Sequence, residues 1–195
     1  LNKSDLQELA VELDKSVLKI NNLLENLLNW SRTQTGKIKY KPEYIALNEI
    51  VKEIVYLFEN NAKGKGIEVV DEVDNNLAVW ADKDMTETIL RNLLSNALKY
   101  TLPDGKVRIT SSIENHQAHI SVIDNGIGMT EQVMKKIFRT DILHSTYGTA
   151  DEKGSGIGLL LCKEFAERQG GGITFDSEPD KGTTFTFSIP LQPGA

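Results

Sequence analysis

Apolar residues recur every three to four positions from Ser4 to about Thr35. Leu6, Leu9, Leu13, Ile20, Leu23, Leu27 and Trp30 form a heptad seam interrupted only by Ser16, the pattern of a helix that packs on other helices. Ala10, Val17 and Leu24 widen the seam on one flank, so a bundle is expected rather than a simple pair. Ser4 is placed to cap this helix, with Gln7 three residues on, and Gly36 to end it.

The pattern changes between Thr35 and Lys41. Pro42 excludes regular helix, and Lys39 to Ala46 reads as extended. Leu47, Ile50, Val51, Ile54, Val55, Leu57 and Phe58 restore the helical period up to Ala62, before Lys63-Gly64-Lys65-Gly66 closes it. Ile67 to Val73 and Leu77 to Trp80 read as strands around Asp74-Asn75-Asn76. Asp82 caps a helix running through Met85, Ile89, Leu93 and Leu94 to about Tyr100. Two alternating strands, Lys106 to Ile113 and Ala118 to Ile123, precede a glycine-rich loop at Asp124 to Gly128. Thr130 to Ile137 is a short helix and Phe138 to Lys153 an irregular stretch. Gly154 to Gly158 opens a helix that ends at Gly170-Gly171-Gly172. Ile173 to Ser177 and Thr183 to Pro190 form a final hairpin. Strands and helices in this mixed order predict an α+β fold, a two-layer sandwich of one sheet covered by helices, preceded by the long heptad helix. The expected domains are 1–38 and 39–195.

Composition narrows the function. Hydrophobic residues make up 39% and charged residues 26%, as in ordinary globular proteins. A net charge of −6 argues against a nucleic-acid partner, which calls for a basic face. The single cysteine, Cys162, follows Leu159-Leu160-Leu161 and reads as a packed core residue in a reducing compartment. His116, His119 and His144 lack metal-ligand spacing. No stretch of about 18 apolar residues is present, so no membrane contact is expected of this chain. Leu1 falls in mid-helix pattern, which gives the chain the look of an excised piece of a longer protein.

Three stretches carry candidate chemistry. In Arg91-Asn92-Leu93-Leu94-Ser95-Asn96-Ala97-Leu98-Lys99-Tyr100, Asn92, Asn96, Lys99 and Tyr100 share one helical face. Asparagine is a poor helix-interior residue, so two of them one turn apart suggest a polar task. Their amide oxygens suit a hard cation such as Mg²⁺, and Lys99 suits phosphate; a plain solvated face is the alternative. Asp124-Asn125-Gly126-Ile127-Gly128-Met129 places a carboxylate beside glycines that permit close backbone approach; a simple turn is the alternative. Gly154-Ser155-Gly156-Ile157-Gly158-Leu159 opens a helix with free N–H groups, an arrangement that binds phosphate.

In this order the three resemble the N, G1 and G2 boxes of the GHKL (Bergerat-fold) ATPase superfamily. N-L-L-S-N-A-L-K-Y-T, D-N-G-I-G-M, G-S-G-I-G-L and G-T-T-F are similar in detail to sensor histidine kinases, over Leu47 to about Leu191. The resemblance implies a catalytic ATP-binding domain from 39 to 195, and in 1–38 the second helix of a dimerisation and phosphotransfer domain. It implies ATP and Mg²⁺ as cofactors, with Asn96 as the Mg²⁺ ligand and Asn92 one turn away. Lys99 would meet phosphate, Tyr100 would pack by the nucleotide, and Asp124 would accept from the adenine amine. Gly126 and Gly128 would let the chain approach the nucleotide. Phe138 would mark the start of a lid reaching to about Lys153. Arg139, with Lys153 as its rival, would reach the γ-phosphate. Gly154, Gly156 and Gly158, with Ile157 and Leu159 between and after them, would line the phosphate side. Thr184 would sit near the adenine. The catalytic set so implied is Asn92, Lys99 and Arg139.

The family's acceptor-histidine box is not found in the sequence; His144 falls in the lid stretch without an acidic neighbour after it. The chain alone is therefore expected to bind Mg-ATP and not to phosphorylate itself. The implied partners are its own dimerisation domain, a response-regulator receiver domain and, in the full-length protein, a second copy. A cytoplasmic location follows for this part, compatible with a membrane anchor elsewhere. The hydrolases of the superfamily carry a glutamate where Asn92 stands, and an amide cannot take a proton from water. A non-catalytic module is the other rival, and the complete set of boxes speaks against it.

Overall fold

The computed structural model describes residues 39–139, 148–149 and 156–194. The heptad helix and Gly36 lie outside the described residues, as do His144, Lys153, Gly154 and Ser155.

β1 (Glu43–Ala46) pairs antiparallel with β3 (Ala78–Ala81), Glu43 opposite Ala81. Between them lie α1 (Leu47–Leu57), α2 (Glu59–Lys65) and β2 (Glu68–Glu72). The continuous helix expected from Leu47 to Ala62 is broken at Phe58. Leu47, Ile50, Val51 and Ile54 bury one face of α1, but the expected apolar run does not continue inward: Tyr56 is 79% and Leu57 58% exposed. Gly66 ends α2 in the left-handed region (φ 68°). Its N–H donates to Lys63 O at 3.1 Å, and the Ile67 N–H to Ala62 O at 2.9 Å, the paired closure that left-handed caps favour.

Asp82 caps α3 (Lys83–Tyr100) as expected, its Oδ1 accepting from the Met85 N–H at 3.1 Å. Its Oδ2 accepts from the Lys41 N–H at 2.8 Å, and its own N–H donates to Gln169 Oε1 at 2.9 Å. Asp82 thereby ties the start of the domain to one end of α3. Asp82→Ala removes the cap and strands two backbone donors, so a loss of about 2 kcal/mol is expected, read as a lowered urea midpoint with unchanged slope.

β4 (Lys106–Glu114) and β5 (Gln117–Asp124) form a hairpin whose turn residues, Asn115 (φ 50°) and His116 (φ 62°), have the two positive φ angles that match strand twist. The short helix α4 (Glu131–Met134) follows, then α5 (Gly158–Arg168), β6 (Ile173–Glu178) and β7 (Gly182–Pro190). The main sheet has five strands in the order β2-β4-β5-β7-β6, with β2 and β4 parallel and the other pairs antiparallel. β1 and β3 stand apart from it as a two-stranded ribbon, where the sequence pattern suggested a single sheet.

Alternation in the central strands decides which face is covered. Val107 and Ile109, Ala118, Ile120 and Val122, and Phe185, Phe187 and Ile189 are buried. α1 packs on β2, α3 on β5, and α5 on β6 and β7. The result is the expected α+β two-layer sandwich. Cys162 is wholly buried between α5 and α3, its Sγ 3.8 Å from Ile89 O, and burial pushes its thiol up. It is a core residue, not a nucleophile.

Candidate functional site

β5 ends at Asp124, on the covered face of the sheet and next to the last turn of α3. The residue is buried, 8% exposed. Oδ1 accepts from the Gly126 N–H at 2.9 Å and the Thr183 N–H at 3.2 Å. Oδ2 takes no hydrogen bond among the described residues, and it is not sealed from solvent. Burial pushes the pKa up to about 6, against the lowering effect of the two backbone donors, Gly126 first. One oxygen is thus fixed by the fold and the other is offered to a donor from outside.

The glycines after Asp124 are required by protein, not only by a ligand. A Cβ on Gly126 would lie 2.2 Å from Tyr100 O, and one on Gly128 (φ 61°) 2.0 Å from Glu178 O. The Ile127 N–H donates to Tyr100 O at 3.1 Å and the Asp180 N–H to Ile127 O at 2.9 Å. The loop is threaded between α3 and the β6–β7 turn.

On α3, Asn92, Asn96, Lys99 and Tyr100 are all half-buried on the face away from the core. The Asn96 amide makes no hydrogen bond among the described residues, so its oxygen is available. Lys99 Nζ lies 2.9 Å from Tyr100 Oη. Asn92 is committed elsewhere: its Nδ2 donates to Thr88 O at 2.9 Å, and its Oδ1 would lie 2.5 Å from a Cβ on Gly158. Gly158 is therefore what lets α5 start against α3. Among the described residues no side-chain cap hydrogen bond is made at that start, and its first turn holds no acid, so its positive end favours an anion. Ile157 is buried with the core, Leu159 is half-exposed, and Gly156 has φ 73°.

Phe138 packs 5.7 Å from the Phe175 ring, which in turn lies 5.8 Å from Phe185, and Lys163 Nζ is 6.0 Å from the Phe138 centroid. Phe138 is thereby anchored on β6. Arg139 is exposed, beside that anchor.

Residues 81–193 match the family described as histidine kinase-, DNA gyrase B-, and HSP90-like ATPase. The chain belongs to this ATPase family. The adaptive-response sensory kinase SasA of Synechococcus sp. (strain CC9311) is 30% identical over 196 residues, covering 100% of this chain and 51% of that protein. The chain thus spans about half the length of this relative. The solved catalytic domain of the histidine kinase ThkA is 31% identical with a TM-score of 0.68, covering 78% of this chain and 97% of that one. A second structure, ThkA in complex with the response regulator protein TrrA, shares the fold at 24% identity and a TM-score of 0.73, over 99% of this chain and 53% of that one. The ATPase domain here is of the sensor histidine kinase type.

Thr184, expected near the adenine, lies opposite Ile123 in the strand register, on the sheet face opposite to that of Asp124. Asp124 pairs with Thr183, which is buried, donates its N–H to the carboxylate and holds Ser177 Oγ at 2.9 Å. Side chains alternate across a strand, so only one of the two threonines can share the face of Asp124. The motif G-T-T-F contains both and does not reveal the phase; pairing with β5 does.

The donors and acceptors present are of the kinds an adenine nucleotide calls for. Asp124 Oδ2 could accept from an exocyclic amine, the Asn96 amide oxygen could meet a hard cation, and Lys99 and the start of α5 carry positive charge suited to phosphate. No cluster of three or more His, Cys, Asp or Glu suited to a metal occurs among the described residues. A divalent cation here would arrive with its phosphates and waters and take Asn96 as its protein ligand, a habit of Mg²⁺.

Proposed function

We propose that this domain binds Mg-ATP and passes the γ-phosphoryl group to a histidine on a dimerisation domain, for onward transfer to a response-regulator receiver domain. The observation that carries the reading is Asp124: a buried carboxylate with Oδ1 held by two backbone donors and Oδ2 left open. Adenine is selected because its amine donates, whereas guanine presents a carbonyl oxygen at that position. The complex of ThkA with its response regulator supports the last partner by analogy.

Mg-ATP, when bound, would supply the phosphoryl group and part of its counter-charge. The chain's residues bind and orient: Asp124 sets the base, Asn96 the metal, and Lys99 and the α5 end the phosphates, with Arg139 or Lys153 reaching the outer phosphate. Positioning and charge neutralisation account for most of phosphoryl-transfer catalysis. Asn92 cannot serve as a base for water, and its amide is already tied to Thr88 O. Transfer to a side chain that brings its own base is therefore favoured over hydrolysis. Residues 1–38 are read as a helix of the dimerisation domain, and 39–195 as the catalytic domain. Titration with a non-hydrolysable ATP analogue should show micromolar binding by this chain. Omitting Mg²⁺ or introducing Asn96→Ala should weaken it by about tenfold or more, and incubation with ATP should leave no phosphohistidine. Equal affinity with and without Mg²⁺ would remove Asn96 from its assigned role.

A further inference from the structure

We infer that Thr149 and Lys65 are positioning residues of the nucleotide site, an inference that rests on the ATP-binding reading above. An α-helix leaves its last four carbonyl oxygens without partners inside the helix. At the end of α3 each is met. Ala97 O takes the Thr101 N–H at 2.9 Å and its hydroxyl at 2.7 Å. Leu98 O and Lys99 O take the Lys65 ammonium at 3.0 and 3.2 Å. Lys99 O also takes the Thr149 N–H at 3.0 Å, and Tyr100 O takes the Ile127 N–H at 3.1 Å.

Thr149 completes the arrangement with its side chain. Its hydroxyl lies 3.0 Å from Lys99 O and 2.9 Å from Thr101 O, and it accepts from Lys65 Nζ at 2.9 Å. A hydroxyl can donate to a carbonyl and accept from an ammonium at once; a methyl group can do neither. The Lys65 charge also sits at the negative end of the α3 dipole, where a cation is favoured. Lys65 comes from α2 and Thr149 from the chain between Phe138 and α5, so two distant segments meet on one turn.

That turn carries Lys99 and Tyr100, whose side chains are the candidates for phosphate and nucleotide. Fixing its carbonyls fixes the direction in which both side chains leave the backbone. Asp124 is held by different groups, Gly126 and Thr183. Loss of the Thr149–Lys65 contact therefore falls on the phosphate end of a nucleotide and spares the adenine end.

The test compares ATP analogue, ADP and adenosine, by competition against a fluorescent nucleotide, on the 195-residue chain. Thr149→Val and Lys65→Met should each lose roughly five- to tenfold in ATP affinity, the effect of one or two hydrogen bonds, with adenosine changed by less than about twofold. Thr149→Ser, which keeps the hydroxyl, and Lys65→Arg, which keeps the charge, should recover most of the loss. Equal losses for ATP and adenosine would show a merely structural role and overturn the inference, as would an unchanged ATP-to-adenosine ratio in Thr149→Val. A wild-type chain that binds no ATP would instead strike the underlying reading, and the two failures are told apart by that control.

Discussion

Asp124→Asn is expected to weaken ATP binding by roughly 100-fold, the scale of leaving buried donors facing each other unpaired, about 1–3 kcal/mol each. The backbone fixes how the new amide must turn. The Gly126 and Thr183 N–H groups both point at Oδ1, so the amide oxygen takes that place. The NH₂ then faces outward, where the adenine amine also donates. Donor meets donor, and the preference for ATP over GTP narrows. Titration calorimetry on both nucleotides measures this. An Asp124→Asn chain that keeps its ATP affinity would show that the base is held elsewhere.

The same carboxylate gives a pH dependence with a definite sign. Its folded pKa is pushed up to about 6 from an ordinary value of 3.8, chiefly by burial. Above the folded value Asp124 is ionised and accepts; as pH falls through about 6 it gains a proton and ATP affinity should decline. Fold stability moves the opposite way. Between the two pKa values the folded chain binds the proton that the unfolded chain lacks, so the Asp124 contribution to stability grows as pH falls and is lost as pH rises through about 6. Asp124→Asn should flatten both trends.

Gly182→Ala is the substitution expected to cost the fold most, about 3 kcal/mol or more. Gly182 has φ 112°, outside the range of ordinary L residues, and an added Cβ would lie 1.9 Å from Asp124 O. Backbone strain and overpacking each cost on the order of 1–3 kcal/mol. Both fall on the pair that presents the carboxylate. Gly172→Ala is the control, since nothing lies within 4 Å of a Cβ there. Chemical denaturation of the two variants measures the difference, and equal midpoints would contradict the close approach at Gly182.

Much of this was legible in the sequence where the signal is local. The capping residue Asp82, the polar face of α3, and the strand that ends in Asp124 all follow from short-range pattern. What escaped depends on contacts between distant segments. The break at Phe58 is hidden because Leu57 and Phe58 continue an apolar period that the fold does not bury. Thr183 and Thr184 are equivalent in the motif and are separated only by register with β5. Gly126 and Gly128 read as sites of ligand approach, yet the backbone that crowds them belongs to Tyr100 and Glu178. Lys65 closes a glycine-punctuated lysine stretch and Thr149 falls in an irregular one, and neither context announces a partner on α3.

β7 is among the last segments of the described chain, yet it lies inside the sheet, between β5 and β6. This has a consequence for the order in which the protein is made. While a ribosome is still extending the chain, β5 has β4 on one side and an open edge on the other, and Asp124 lacks the Thr183 donor. Such long-range pairing is slow to form, and an open edge invites wrong partners. A nascent chain that stops short of Gly182 has every glycine-rich box already synthesised and still holds its carboxylate by only one of its two backbone donors, Gly126. The pairing that presents the carboxylate is therefore completed late, when the β6–β7 hairpin slots into the sheet beside β5.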